Sequence, residues 1–236
     1  MSVGMAEELH EALRAAASVC VPSGHLSLSF QVPELDPLAV LETMAETGPR
    51  AYFESPALGL AFAAGAPVTT WEGRGAGRFG DADRWLKQLA QGMICVGPPP
   101  RISARFPFHP GSAEGGLTSR LVLPSWQVLS QGGRTRVTLV EPTGHGAAER
   151  LAARAERFQP FAYRASQLLS SEDRPVLSEV GGSWFPSAVR RAVGLIREGA
   201  FEKIVLTRAF DWRRLAPFDP FSALHRLRSS NPSCHA

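Results

Sequence analysis

The sequence predicts an α+β fold, mostly antiparallel sheet with helices packed outside it, and three observations carry that reading. The segment His25–Val32 alternates apolar and polar residues strictly, as in a strand covered on one side. Gly132-Gly133 separates two β-rich runs by two residues, the length of a tight hairpin. Several segments place apolar residues at helical spacing, among them 6–20, with Leu9, Leu13, Ala16 and Cys20 on one face.

The elements follow in order. After the strand at 25–32, Asp36-Pro37 offers an N-cap and a first-turn proline to a short helix carrying Leu38, Leu41 and Met44. Strands are predicted at 51–54, 58–64 and 68–71, then a helix from about 81 to 91. Residues 103–140 read as further sheet, with strands at 121–123, 126–130 and 136–140. The segment 146–158 is rich in Ala, Arg and Glu and places Leu151, Ala155 and Phe158 on one helical face. Residues 160–184 contain Ser170-Ser171, Pro175 and Gly181-Gly182 and read as irregular. A helix then starts near Pro186, with Val189, Ala192, Val193 and Ile196 as its apolar stripe and Arg190, Arg191 and Arg197 facing outward; Gly199 suits its stop. The run 201–208 reads as a buried strand, followed by a helix capped by Asp219-Pro220 with Phe221, Leu224 and Leu227 inward. The resulting organisation is an N-terminal lobe at 1–145, a helix and linker at 146–183, and a second lobe from 184 to 236.

Composition sets the outer limits. A chain of 236 residues, 44% hydrophobic and 20% charged, can bury a sizeable core in one large domain or two small ones. The net charge of +3 is spread along the sequence without the basic stripe that a nucleic-acid backbone requires, whereas a small anionic substrate fits it. No apolar run reaches membrane-spanning length, and the first residues lack a signal-peptide pattern, so no membrane partner is expected and a cytoplasmic location is. Cys20, Cys95 and Cys234 are odd in number and far apart, which predicts reduced packing residues.

Three motifs compete for a functional role. Gly75-Ala76-Gly77-Arg78-Phe79-Gly80 fits G-x-G-x-x-G, but its flanking strands are short and hairpin-like, and Pro98-Pro99-Pro100 stands where a second parallel strand would follow; it reads as a turn, and no dinucleotide cofactor is assigned. His225, beside Leu224 on the last helix, reads as a partly buried, satisfied imidazole; no histidine pair has metal-ligand spacing. Lys203, within Phe201-Glu202-Lys203-Ile204-Val205-Leu206-Thr207-Arg208, puts an ammonium group in a run otherwise built for burial. By pattern it has two readings, a side chain that snorkels to water or a desolvated base. Period two places Lys203 with Val205 and Thr207 on one face, and Arg208 with Ile204, Leu206 and Phe210 on the other.

The residues from Trp184 through the Ala188–Gly199 helix, Glu202–Arg208, Phe218-Asp219-Pro220 and Asn231-Pro232-Ser233-Cys234 resemble the opening of the chorismate-binding domain of isochorismate synthases. Upstream, Tyr52-Phe53, the Gly75–Gly77 turn and the following helix are loosely similar to the N-terminal lobe of the menaquinone-type enzymes. The resemblance implies the anthranilate synthase component I-like fold, incomplete here, and a magnesium-dependent conversion of chorismate to isochorismate. Water adds at C2 and the C4 hydroxyl leaves. Lys203 aligns with the lysine that activates the water, at a position where the ammonia-using relatives usually carry glutamine. A salicylate synthase also carries that lysine and is the alternative. The general acid and the magnesium ligands correspond to no residue of this sequence, so the resemblance implies a truncated, inactive front portion. The alternative of another class is a non-catalytic polypeptide completed by a separate C-terminal chain. The pathway served, menaquinone, siderophore or salicylate, stays open.

Overall fold

The structure is a computed structural model and describes residues 24–44, 48, 50–108, 118–157, 176–179, 184–213, 218–231 and 233. The helix expected at 6–20 lies outside these residues, as do Phe158, Cys20 and Cys234. The mostly antiparallel α+β expectation holds. The chain divides into two compact units, one formed by Met1–Ala165 with Leu224–Ala236, the other by Ser166–Ala223.

The first unit is built on a six-stranded sheet of order β2-β3-β8-β9-β1-β5. These are β1 (His25–Val32), β2 (Ala51–Ser55), β3 (Leu60–Ala64), β5 (Met93–Val96), β8 (Trp126–Gln131) and β9 (Arg134–Pro142). Every pair is antiparallel except β1 with β5. Gly132 and Gly133 form the β8–β9 hairpin with φ of 56° and 74°, the left-handed pair that a two-residue turn needs and that glycine adopts without strain. The core lies on the face carrying Leu26, Leu28, Val128, Val137 and Leu139, all fully buried. Helix α1 (Pro37–Thr43) contributes Leu38, Val40 and Leu41, and α3 (Ala147–Arg157) contributes Leu151. Asp36 caps α1 as predicted, its carboxylate accepting from the Leu38 amide at 3.0 Å.

A smaller antiparallel sheet, order β4-β7-β6, joins β4 (Pro67–Gly73), β6 (Ser103–Arg105) and β7 (Ser119–Pro124). Helix α2 (Arg78–Gln91) follows the Gly75–Gly77 turn, so the G-x-G-x-x-G segment leaves an antiparallel strand and not the parallel βαβ unit of a dinucleotide fold. The Arg78 side chain folds back to the carbonyl of Gly75 at 3.0 Å and lies over the Phe79 ring.

The second unit holds α4 (Phe185–Arg197) and a two-stranded antiparallel sheet of β10 (Val176–Glu179) and β11 (Phe210–Arg213). Three expectations are corrected here. The run 201–208 has no regular secondary structure, and the strand begins at Phe210; β10 stands inside a segment read as irregular. On α4 only Ala192 of the expected apolar stripe is buried, while Val189, Val193 and Ile196 are exposed. Helix α5 (Pro220–Ser230) is capped by Asp219 as expected, and from Leu224 onward it belongs to the first unit, though Leu227 is exposed.

Candidate functional site

In the second unit, Lys203 is exposed, as are Val205 and Thr207 of its predicted face. The buried setting that would desolvate its ammonium is therefore not formed in this structure. The other cation of the run, Arg208, sits over two aromatic rings, 4.5 Å from the centroid of Phe210 and 5.0 Å from that of Phe185. Trp184 meets Phe185 edge-on at 5.8 Å. An aromatic-cationic cluster thus lies at the start of α4 and the end of the Lys203 segment; alternation along 201–208 already sets Arg208 and Phe210 on one face, while Trp184 and Phe185 join them only in the fold.

The first unit carries a polar network that sequence reasoning missed. Arg228 on α5 donates to both carboxylate oxygens of Asp36, at 2.7 and 2.9 Å, to Glu54 on β2 at 2.8 Å, and to the Tyr52 hydroxyl at 2.6 Å. Tyr52 in turn donates to Glu54 at 2.8 Å. Burial pushes the Tyr52 phenol above its usual range, reinforced by the hydrogen bond to Glu54 and opposed by Arg228. For Arg228, burial works against the charge, but the bonds to Asp36, Tyr52 and Glu54 outweigh it and hold the guanidinium firmly protonated. One turn earlier, His225 meets Glu42 at 3.3 Å, the satisfied imidazole that its position predicted. Asp36, Glu54 and Arg228 also line an open cavity of about 450 Å³. The network is saturated with its own partners, and it fastens the last turns of α5 to β2 and the start of α1.

Among the described residues no group of three His, Cys, Asp or Glu side chains is placed to hold a metal ion. The described residues therefore offer magnesium no such cluster of ligands. Cys95 is an exposed free thiol, which corrects its reading as a packing residue. No helix among the described residues is long and apolar enough to cross a membrane.

A family model described as chorismate binding enzyme matches residues 11–236. The chain belongs to the chorismate binding enzyme family. Among solved structures it is similar to MenF, the menaquinone-specific isochorismate synthase from Escherichia coli, with a TM-score of 0.60 and 18% identity over 97% of this chain. The likeness shows the fold, and the chain spans 51% of the MenF chain. No curated protein matches the sequence. The family match runs through both units, so the Lys203 segment and the β1–β9 sheet belong to one chorismate binding enzyme sequence, as the resemblance in the second lobe implied.

Proposed function

We propose that this chorismate binding enzyme sequence is that of an isochorismate synthase, in which Lys203 activates the water that attacks C2 of chorismate. One observation carries the reading: a lysine stands at position 203 in a chain whose residues 11–236 match the family. Glutamine at the aligned position accompanies ammonia as nucleophile in the related synthases, so lysine favours water. The chemistry is a balanced isomerisation. Water forms the new C2–O bond as Lys203 takes its proton, the ring double bonds shift, and the C4 hydroxyl leaves as water after protonation by an acid on the opposite side.

Physical chemistry sets a condition on this role. A general base must stand within reach of the proton it takes and be held in place there, and Lys203 is exposed in this structure. In the working enzyme the 201–208 run is proposed to enter a sheet, where withdrawal from water favours the uncharged form of a lysine amine, the form that can take a proton. Magnesium remains an expectation of the resemblance; no step here is routed through it, since the described residues offer it no site. The acid is likewise assigned to no residue of this chain.

The chain spans 51% of MenF, and residues 1–236 by themselves are proposed to be inactive. Two assays test the reading. The purified 236-residue polypeptide is incubated with chorismate and magnesium and the products are separated by chromatography; turnover would overturn the inactivity. In an enzyme extended to the length of MenF, Lys203→Ala should lower kcat by about a hundredfold or more with little change in KM, the usual scale of general-base loss. Near-normal turnover would remove Lys203 from the base role, and salicylate as the first product would replace isochorismate synthase with salicylate synthase. Activity restored by a separately expressed C-terminal polypeptide would show that the chain works as half of a split enzyme.

A further inference from the structure

The open end of the six-stranded sheet carries a set of arginines with no protein counter-charge. Pairing register places Gln31 of β1, Arg136 of β9 and Leu129 of β8 in one row, and Arg134 of β9 beside Gln131 of β8 in the next. Alternation along the strands puts all five on the face opposite Val137 and Leu139, away from the core. Arg101, which follows β5, is brought to the same place by its main chain. Its amide donates to Gln127 Oε1 at 2.9 Å and its carbonyl accepts from Gln127 Nε2 at 2.7 Å, so a buried glutamine holds the backbone at that residue from both sides.

Arg101, Arg134 and Arg136, with Gln31, Gln131 and Thr135, line a cavity of about 240 Å³ with no acidic side chain in its wall. Among the described residues, none of the three guanidiniums enters an ion pair or a side-chain hydrogen bond. The contrast within the same unit is sharp, because Arg84, Arg120, Arg150, Arg154 and Arg228 all pair with carboxylates. Like charges gathered on one strand face repel, and a concave wall of low dielectric concentrates their field. Guanidinium forks match the paired oxygens of carboxylate and phosphate, and the flanking amides add neutral donors.

We propose that this cavity binds a small anion carrying at least two negative charges, of the carboxylate or phosphate class. The cavity volume limits the ligand to a small molecule, and the three arginines set its charge. The assignment is independent of Lys203 and of the reaction proposed above.

The test uses the 236-residue chain and isothermal titration calorimetry with two probes, inorganic pyrophosphate and tricarballylate. Saturable one-site binding of at least one is expected, and the tighter of the two names the class. Arg136→Gln should weaken that binding by about tenfold or more, the scale of one lost charge-assisted hydrogen bond. Lys87→Gln, which removes the same charge from the exposed face of α2, should leave it within about twofold. Arg134→Gln and Arg101→Gln alter exposed side chains and carry the same test if Arg136→Gln impairs folding. Absence of saturable binding by both probes, undiminished binding in the arginine variants, or an equal loss in Lys87→Gln would overturn the proposal.

Discussion

Arg228 takes its charge into a half-buried position and satisfies it there with two carboxylates and a phenol. A side chain in that position contributes less through attraction than through what its loss would strand. Arg228→Met leaves Asp36 and Glu54 close together, both mostly withdrawn from water, with no cation between them. Breaking such a pair from one side costs about 2–3 kcal/mol, and the variant should show that loss in urea unfolding of the first unit. Arg228→Lys should recover only part of it, because an ammonium cannot reproduce the two-pronged contact with Asp36. A change under about 0.5 kcal/mol in the Met variant would show that water already screens the network. The sequence could point to Lys203, because a charge in an apolar run is a local anomaly. It could not point to Arg228, since Asp36 lies 192 positions away and its cap role already accounted for it. Arg101 was hidden for the same reason: it joins Arg134 and Arg136 only through the bonds of its main chain to Gln127, 26 positions away.

At the scale of elements, the segment after β5 shows how closely a connection can fit a sheet. Gly97 has φ of +86°, and a Cβ there would stand 2.7 Å from the carbonyl oxygen of Ser29 and 3.2 Å from its Cβ. The following residue is tied down as well, since the Ser29 hydroxyl meets the Pro98 carbonyl at 2.7 Å. Gly97→Ala therefore adds both a left-handed penalty and a backbone clash that no flexible side chain can relieve. It should destabilise the first unit by about 2 kcal/mol or more, read as a lowered midpoint in thermal or urea unfolding. Wild-type stability in the alanine variant would mean that the segment can lift off β1 freely. The elements that the sequence foretold well are those whose signals are local: alternation in β1, the Gly132-Gly133 turn, and the Asp36 and Asp219 caps. The segment 201–208 failed because strand formation needs a partner, and apolar β-branched residues record only a readiness to pair. The partner of β11 is β10, which sits in a stretch whose Ser, Pro and Gly content masked four pairing residues.

The two units of the whole molecule differ in how much they bury. In the first, Leu26, Leu28, Trp126, Val128, Val137 and Leu139 are all removed from water, and at about 25 cal/mol per Å² such residues dominate local stability. Among the described residues of the second, Ala192 alone is a buried hydrophobic, while Val176, Val193, Ile196, Phe201, Val205 and Trp212 are exposed. A 13-residue helix and a two-stranded ribbon have little stability of their own without an apolar face to cover. The second unit should therefore open far below the free energy of global unfolding. Amide hydrogen exchange checks this directly. Amides of α4 and of the β10–β11 pair should be protected about a thousandfold less than those of β1, β8 and β9, a difference of about 4 kcal/mol in opening free energy. Equal protection across both units would mean that the second is stabilised by something other than burial. If the same amides gain protection in an enzyme extended to the length of MenF, the added half covers these apolar faces, and the setting needed to bury Lys203 would form in the same step.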